Sequence, residues 1–352
     1  MAKLTKENSV LILLIAVKFI LQYQLIHHEF ELHRDEYLHL DQAKHLAWGY
    51  LSVPPFTSWI SYTIHLLGKG VFWVKFFPAL FGVLTMIVVW KTAKQLNGGL
   101  FAMALSATAV LFSAILRVNI RYQPNSADVF FWTLVYYLLI RYINSQNRKY
   151  ILLAALAFAF GFLNKYNILF LAMGLFPALL LSPHRKILSL PYLWYAVATA
   201  FIIVLPNLYW QYQNDFPVIH HMKELSDTQL VNVKRSDFLK EQLLFFINSF
   251  FLIVLAFVSF FAHPDFRKYR MFFWSLVFTL LLFLWFKAKG YYAIGLYPIF
   301  LAFGAVYLER FLKDDWKYHL RPVAFLLVGI PFYYIVKIAF PFIVRSKQPP
   351  ER

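Results

Sequence analysis

The chain contains no cysteine and few charged residues, and both shortages narrow the class of protein. Because the cysteine count is zero in 352 residues, a disulfide scaffold and a zinc–thiolate site are excluded. Only 14% of the residues are charged, against about 25% in soluble globular domains. So little charge also excludes an intrinsically disordered chain, which needs high charge and low hydrophobicity.

Apolar and aromatic residues dominate the composition instead. Hydrophobic residues make up 61% of the chain and aromatic residues 20%, and the mean hydropathy is +0.58. A water-soluble core of this size cannot hide 39 Phe, 22 Tyr and 10 Trp. The composition therefore predicts an integral membrane protein.

Long apolar runs recur along most of the sequence. A run of about 20 residues crosses a bilayer as a helix, because lipid offers the backbone no other hydrogen-bond partner. We predict about eleven such spans, at residues 10–27, 71–90, 99–117, 128–143, 150–163, 166–182, 190–209, 242–262, 271–287, 291–308 and 322–340. A tight turn at residues 164–167 separates the fifth from the sixth. A single kinked helix is the alternative there, although it is too long for one crossing.

The net charge of +17 lies mainly at the ends of these runs. This placement indicates that the charges set the orientation of the chain in the membrane and contact anionic headgroups. No nucleic-acid partner is therefore expected. Lys and Arg are denser in the alternate loops that begin with the N-terminus, which favours a cytoplasmic N-terminus. Two long loops, 28–70 and 210–241, then lie outside the cell.

The first long loop has a periodic apolar pattern. Residues 36–48 place four apolar side chains near one helical face, which predicts a helix lying in the interface plane. These side chains are Tyr37, Leu40, Ala43 and Ala47. The chain has no internal repeat and no low-complexity linker. We expect one membrane-embedded domain over residues 1–352, with no soluble domain at either end.

Adjacent carboxylates follow the first apolar run at Asp35 and Glu36. One interpretation is structural, with Asp35 as the N-cap of a helix and Glu36 in its first turn. The other is a general base at the membrane surface that deprotonates an acceptor hydroxyl or amine. His33 is the one histidine that we select as a candidate, because the histidine spacing matches no metal-ligand pattern.

A second acid, Asp128, begins the fourth predicted span and follows Arg117 and Arg121. Alone, Asp128 is explained by the dipole of the helix that it begins. Together, the two guanidinium groups can hold a phosphate while Asp128 holds a metal or the acceptor.

Lys165 and Lys289 lie in two further outside turns, and Tyr292 follows Lys289. A lone lysine at a helix end usually extends to the interface. With the N-terminus inside, however, these lysines share a face with Asp35 and Asp128, which suits an anionic headgroup. The sequence contains no Walker loop, dinucleotide glycine fingerprint or GxSxG motif.

Five segments, in order along the chain, resemble bacterial members of glycosyltransferase family 39, the group of the dolichyl-phosphate-mannose–protein mannosyltransferases and the lipid A aminoarabinose transferases. They are His33–Glu36 with His45–Tyr50 and Pro54–Pro55, Pro124–Asp128 with Phe131–Leu134, Gly161–Tyr166, Pro206–Gln211, and Lys289–Tyr292 through Tyr297–Pro298. The resemblance covers roughly residues 10–310.

The resemblance implies an all-α integral membrane protein, a GT-C type multi-span bundle of about 11 transmembrane helices with interfacial helices in the first extracytoplasmic loop. It implies an inverting glycosyltransferase in the bacterial plasma (inner) membrane, with its active site outside the cytoplasm. The sugar would come from a polyprenyl-phosphate donor, with undecaprenyl expected. The acceptor would be protein, lipid A or a lipid-linked glycan.

The resemblance also implies roles for the candidate residues. Asp35 becomes the base, Glu36 the neighbour that positions acceptor or base, and Asp128 a second acid of the site. A divalent metal (Mg, Mn or Zn) shared by Asp35 and Asp128 is the one cofactor considered. The phosphate candidates are Arg117, Arg121, Lys165 and Lys289, and the pocket candidates are Tyr292 and His33. Many relatives have an acid directly after the proline of the second motif, where this chain has Asn125.

Two other classes of protein stay open. One is a polytopic transporter or lipid flippase, which would bind its substrate near the membrane midplane, often on broken helices within repeats. No repeat is visible, and Lys18 has no evident acidic partner within the spans. The other is a non-catalytic scaffold with the same fold, which the substitution Asp35→Asn would distinguish from an enzyme.

Overall fold

The computed structural model describes residues 5–26 and 32–339. Within these ranges the chain forms sixteen α-helices and no β-strand. The helices are α1 Lys6–Gln24, α2 Arg34–Asp41, α3 Phe56–Leu66, α4 Val71–Gln95, α5 Leu100–Leu111, α6 Ile115–Val118, α7 Asn125–Ser145, α8 Lys149–Asn164, α9 Ile168–Leu180, α10 Pro191–Gln213, α11 Pro217–Thr228, α12 Arg235–Leu244, α13 Phe250–Ala262, α14 Arg270–Trp285, α15 Pro298–Phe311 and α16 Arg321–Ala339. Short 3-10 segments cover Gln42–Lys44, Arg185–Ser189, Leu230–Asn232, Pro264–Tyr269, Gly290–Leu296 and Asp315–Leu320.

Most apolar runs that the sequence predicts as spans correspond to one helix in the described ranges, but the runs 99–117, 242–262 and 291–308 are each divided between two helical segments. Six helical stretches are long and apolar enough to cross a membrane by length and composition. A seventh candidate is the bent pair of Gly290–Leu296 and α15, which meet at 48°. Four shorter apolar helices are α5, α8, α9 and α13. The predicted helical membrane architecture is confirmed, while the number of eleven crossings stays a prediction.

The break between α8 and α9 lies where the sequence predicts a turn. Lys165 is extended, with φ −161° and ψ 127°, and ends α8. The next helix begins at Ile168. The turn at 164–167 is therefore confirmed, and the alternative of one kinked helix is wrong.

The first long loop differs from its prediction. The helix expected over residues 36–48 is α2, which ends at Asp41 and continues as a 3-10 turn to Lys44. His45 then leaves the helical region, and Tyr50 Oη donates to the His45 carbonyl at 3.0 Å. The prediction is thus wrong beyond residue 44. A second helix, α3, follows in the same loop.

The start of α2 also corrects the predicted cap. His33, not Asp35, is the N-cap, and its Nδ1 accepts from the Asp35 backbone N–H at 3.3 Å. Glu36 completes a capping box by accepting from the His33 backbone N–H at 2.8 Å. Both carboxylates lie in the first turn, where the helix dipole favours negative charge.

The loops meet in two groups at opposite ends of the bundle. One end joins the segments 32–36, 119–125, 165–167 and 287–292, which carry the candidate residues. The other end is held by polar contacts between distant loops, including Lys268 Nζ to Asn144 Oδ1 at 2.8 Å and Arg310 Nη1 to Asp265 Oδ2 at 2.8 Å. The candidate residues are therefore gathered at one face of the bundle by the alternating direction of the helices.

Two glycines allow close helix contacts behind this face. A Cβ on Gly304 of α15 would lie 1.9 Å from the Leu252 carbonyl oxygen of α13. A Cβ on Gly174 of α9 would lie 2.0 Å from Thr279 Oγ1 of α14. Small residues let membrane helices approach closely, where van der Waals contact provides the association energy.

We predict that Gly304→Ala lowers stability, because the added methyl group must displace a backbone carbonyl. Overpacking of this kind costs about 1–3 kcal/mol. Gly329→Ala in α16 is the matched control, since a Cβ there meets nothing within 4 Å. The check is thermal unfolding of the detergent-solubilised protein. Equal melting temperatures for the two variants would contradict the close contact.

Candidate functional site

Asp35 lies at the start of α2 with 38% of its side chain exposed. Its Oδ2 accepts from Gln123 Nε2 at 2.8 Å and lies 3.6 Å from His33 Nδ1. Its Oδ1 lies 3.3 Å from Arg34 Nε. A carboxylate that is partly exposed and held by a neutral amide keeps oxygen lone pairs free to accept a proton.

A series of hydrogen bonds continues from Asp35 into the bundle. Gln123 Oε1 accepts from Asn125 Nδ2 at 2.9 Å, and Asn125 Oδ1 accepts from Lys165 Nζ at 2.8 Å. Lys165 Nζ lies 3.8 Å from Asp128 Oδ2. We call these five side chains, Asp35, Gln123, Asn125, Lys165 and Asp128, the polar row. It connects the first long loop to the α8–α9 turn.

Asp128, in the first turn of α7, ends the polar row in a buried position. Only 7% of its side chain is exposed. Trp132 Nε1 donates to Oδ1 at 2.9 Å, and Asn167 Nδ2 donates to Oδ2 at 3.0 Å. Asp128 therefore lies in the first turn of its helix, where the dipole favours its charge, and its role in the site stays a prediction. The donors to this carboxylate are neutral groups, and the nearby cation is Lys165.

Lys165 is the cation at the centre of the site, with 18% of its side chain exposed. Its ammonium lies 4.2 Å from the ring centroid of Tyr292 and 5.4 Å from that of Tyr291. Burial lowers the pKa of Lys165 below its usual value, Asp128 opposes this shift, and Lys289 adds to it. An ammonium has three N–H donors, so Lys165 can bind an anion in addition to Asn125.

Glu36 is almost fully buried, at 1% exposure, and its oxygens already have partners. Oε1 lies 2.6 Å from Lys75 Nζ and accepts from the Tyr122 backbone N–H at 2.7 Å. Oε2 accepts from the His33 backbone N–H at 2.8 Å. Glu36 thus joins α2 to α4 and to the segment before α7. These contacts fix the start of the helix that carries Asp35.

The remaining candidates fall into two groups. Lys289 and Tyr292 lie beside Lys165, and Lys289 Nζ donates to Gln229 Oε1 at 2.6 Å. The Tyr292 carbonyl accepts from Asn167 Nδ2 at 3.0 Å. Arg117, in contrast, lies on α6, one turn before Arg121. The predicted role of the two arginines beside Asp128 stays a prediction.

The motif segments also meet around Tyr166 and α10. Tyr166 Oη donates to Asn207 Oδ1 at 3.1 Å, and Asn207 Nδ2 donates to the Trp48 carbonyl at 2.6 Å. A Cβ on Gly49 would lie 2.3 Å from the Trp210 ring. Because Gly49 has no side chain, the first long loop packs closely against Trp210 near the end of α10.

Sequence reasoning missed several polar partners in the site. Gln123, Asn125 and Asn167 lie next to predicted residues. The sequence feature that indicates them is the cluster of amide side chains around Pro124 and in the turn at residues 164–167. Lys75 is indicated more strongly by the sequence, because a lysine within an apolar run needs an acidic partner. Among the residues that the structure describes, no acid pairs with Lys18, whose ammonium donates to Gln22 Oε1 at 2.7 Å and Asn119 Oδ1 at 2.9 Å.

A divalent metal shared by Asp35 and Asp128 does not fit this arrangement. Gln123, Asn125 and the Lys165 ammonium lie between the two carboxylates, and the Asp128 oxygens accept from Trp132 and Asn167. Among residues 5–26 and 32–339, no three His, Asp or Glu side chains are grouped to hold an ion. The predicted metal stays a prediction, and we derive no step through it.

Comparisons with known proteins show which families and structures the chain is similar to. The family model of the dolichyl-phosphate-mannose-protein mannosyltransferases matches residues 52–210. The lipid A galacturonosyltransferase RgtD of Rhizobium johnstonii is 27% identical over 198 residues, which are 53% of this chain and 41% of RgtD. An uncharacterised protein of Aquifex aeolicus is 30% identical over 220 residues, 60% of this chain and 43% of that protein. The resemblance inferred from the motifs is thereby confirmed.

Solved structures share the fold. The crystal structure of ArnT from Cupriavidus metallidurans bound to undecaprenyl phosphate matches with a TM-score of 0.74 and 16% identity, over 94% of this chain and 65% of ArnT. The apo oligosaccharyltransferase of Archaeoglobus fulgidus matches with a TM-score of 0.60 and 12% identity, over 96% of this chain and 56% of that protein. The predicted GT-C type bundle is confirmed. This chain matches less than half the length of its curated relatives, and the predicted single-domain organisation stays a prediction.

The buried Glu36–Lys75 pair gives a stability prediction. Lys75→Met should destabilise the protein by about 3–5 kcal/mol, because it leaves a buried carboxylate without its cation. The double variant Glu36→Gln/Lys75→Met should be more stable than Lys75→Met alone, since the neutral amide removes the stranded charge.

The measurement is a double-mutant cycle on unfolding of the solubilised protein. Lys94→Met is the control, because the Lys94–Glu7 pair is exposed, with 61% and 39% of the two side chains accessible, and exposed pairs contribute little. Additive losses in the double variant would show that Glu36 and Lys75 do not depend on each other.

Proposed function

We propose that this member of the GT-C glycosyltransferase superfamily is an inverting transferase that moves a sugar from a polyprenyl phosphate to an extracytoplasmic acceptor. The observation that carries the proposal is the polar row. It places the partly exposed carboxylate of Asp35 and the buried ammonium of Lys165 in one hydrogen-bonded series, separated by two amide side chains. Transfer from a lipid phosphate requires a base for the acceptor and a cation for the leaving group.

The two ends of the polar row suit the two halves of the reaction. The acceptor oxygen or nitrogen attacks the anomeric carbon from the side opposite the phosphate, and Asp35 takes the acceptor proton. The bond between the anomeric carbon and the phosphate oxygen breaks, and its electron pair leaves with the polyprenyl phosphate. The configuration at the anomeric carbon inverts because one displacement occurs.

The leaving phosphate departs as an anion, so it needs fixed positive charge rather than a protonating acid. Lys165 provides that charge in a site shielded by Tyr291 and Tyr292, where electrostatic attraction is stronger than in water. Lys289 adds a second cation at the same face. Asp128 and Asn125 hold the Lys165 side chain, so that little reorganisation is needed when charge develops.

The relatives support a choice of donor and acceptor. The ArnT structure contains undecaprenyl phosphate, and RgtD is named for transfer to lipid A. We therefore favour an undecaprenyl-phosphate sugar as donor and a lipid A type hydroxyl as acceptor. The site would face away from the cytoplasm at the bacterial inner membrane, with the N-terminus cytoplasmic. A transporter is less consistent with the site, which lies at one end of the bundle rather than at mid-depth.

We expect Asp35→Asn to lower the rate of sugar transfer by about 10²- to 10⁴-fold, the usual contribution of a general base. Donor binding should be retained, because the amide preserves shape and Lys165 is unchanged. The measurement supplies reconstituted membranes with radiolabelled polyprenyl-phosphate sugars and cell-envelope acceptors. The labelled product identifies the acceptor.

Asp41→Asn on the same helix is the control, since Asp41 is exposed and pairs with Lys44, and its transfer rate should match that of the wild type. Equal rates for Asp35→Asn and the wild type would exclude Asp35 as the base. Absence of both transfer and donor binding in the wild type would favour transport.

The lowered pKa of Lys165 predicts a pH dependence of donor binding. Because burial lowers this pKa, the ammonium loses its proton at a lower pH than an ordinary lysine does. Affinity for polyprenyl phosphate should fall as pH rises through the Lys165 pKa. A phosphate monoester has its second pKa at about 6, so its own charge is constant over the alkaline range.

Lys165→Arg should move the alkaline loss of affinity to higher pH, since a guanidinium stays protonated throughout. The measurement is the Kd for polyprenyl phosphate from about pH 7 to pH 10. If wild type and Lys165→Arg lose affinity at the same pH, another group binds the phosphate.

A further inference from the structure

A strongly basic cavity lies at the end of the bundle opposite the polar row. It has a volume of about 750 Å³ and lies between the loop after α9 and the start of α14. Five cationic side chains line it: Arg185, Lys186, Arg267, Lys268 and Arg270. No Asp or Glu is among its lining residues. We call this space the basic cavity.

Nearby acids compensate the cations of the basic cavity only in part, since Asp265 attracts Lys268 from beyond 4.0 Å. Within the part of the chain that the structure describes, none of the five forms an ion pair with a carboxylate within 4.0 Å. The neighbouring acid, Asp265, is instead bound by Arg310 at 2.8 Å. Five like charges around one space repel one another, so an anion that enters the cavity relieves that repulsion.

Two of the cations are held in place by neutral contacts. Lys268 Nζ donates to Asn144 Oδ1 at 2.8 Å, and Arg270 Nε donates to the Phe260 carbonyl at 2.8 Å. These bonds use one donor of each group, and a lysine has three and an arginine five. The cavity therefore keeps oriented donors for a phosphate oxygen.

One wall of the basic cavity is apolar and faces the expected lipid region. Phe261 and Trp274 are 44% and 36% exposed, and Met271 also lines the cavity. Arg270 and Trp274 are one helical turn apart on α14, so they occupy the same face. A charged rim above an aromatic wall matches a molecule with an anionic head and an apolar tail.

We propose that the basic cavity binds the phosphodiester headgroup of an anionic phospholipid, with the acyl chains against Phe261 and Trp274. The positive-inside rule accounts for cations in cytoplasmic loops, but it does not require them to line one cavity without acids. Basic pockets between membrane helices on the cytoplasmic side are suited to anionic headgroups. The N-inside orientation places the basic cavity on that side.

The test measures lipid binding to the full-length chain by native mass spectrometry, with phosphatidylglycerol and phosphatidylcholine as probes. Wild type should retain phosphatidylglycerol in preference to phosphatidylcholine. The triple variant Arg185→Gln/Lys186→Gln/Arg267→Gln should weaken phosphatidylglycerol binding at least about tenfold, since each cation near a lipid surface contributes to attraction. These three residues are exposed, so the fold should tolerate the change.

The control removes the same number of charges from the same end of the bundle but outside the cavity, as Lys91→Gln/Arg148→Gln/Lys149→Gln. Its phosphatidylglycerol affinity should stay within about twofold of wild type if the cavity is the site. Equal losses in the two triple variants would show general surface charge and overturn the proposal. Equal affinity of all three proteins would overturn it as well.

A second measurement does not depend on the triple variant. Phosphatidylglycerol with brominated acyl chains should quench Trp274 fluorescence in reconstituted protein, and Trp274→Phe should remove that part of the quenching. Brominated phosphatidylcholine should quench Trp274 less. If soluble glycerol phosphate binds the cavity while phosphatidylglycerol does not, the lipid assignment is wrong. Sugar transfer has no part in either readout, so the outcome is independent of the proposed activity.

Discussion

A buried carboxylate in an apolar bundle requires a compensating cation, and the contact between Asp128 and Lys165 meets this requirement at the candidate site. Only 7% and 18% of the two side chains are exposed. Ions removed from water lose several kcal/mol of hydration each, which a partner and further hydrogen bonds must offset. Since Asp128 lies in the first turn of α7 and Lys165 ends α8, their contact joins the start of α7 to the turn between α8 and α9. The same contact holds the cation that we propose for phosphate binding.

Asp128 compensates the charge of Lys165 only in part, and this leaves the ammonium able to attract a second anion. The ammonium of Lys165 is 3.8 Å from Asp128 Oδ2, whereas the donors to that carboxylate are Trp132 and Asn167 at 2.9 and 3.0 Å. Lys165 donates to the neutral Asn125, and aromatic rings cover part of its surface. A cation held by one amide and a more distant carboxylate retains attraction for a second anion. Glu36 and Lys75 show the opposite arrangement, since they form a direct ion pair at 2.6 Å.

The sequence predicts the helices and the face of the site better than the contacts within it. Apolar runs fix the helices because a backbone in lipid must satisfy its own hydrogen bonds, and the turn at 164–167 follows from its polar residues. The end of α2 was not predictable from its pattern, because Tyr50 sets it from outside the helix. Likewise, the contacts of Gln123 and Asn125 form only because the start of α2 and the end of α8 lie at the same face of the bundle. Such contacts depend on packing between distant segments, which residue periodicity does not encode.

The net charge of +17 combines cations in two different physical situations. At the site, Lys165 and Lys75 are buried and each lies near a carboxylate, so their positions are set by folding. At the opposite end, Arg185, Lys186 and Arg267 are exposed and surround a space without acids, so their fields extend to whatever enters it. A count of lysines and arginines in loops treats these residues alike. Lys75 lies on α4, whereas Lys165 precedes α9, and Arg185 and Lys186 lie beyond the other end of α9. The helix α9, which packs against α14 through Gly174, thus connects a partly compensated cation at one end of the bundle to a cluster of cations without close carboxylates at the other.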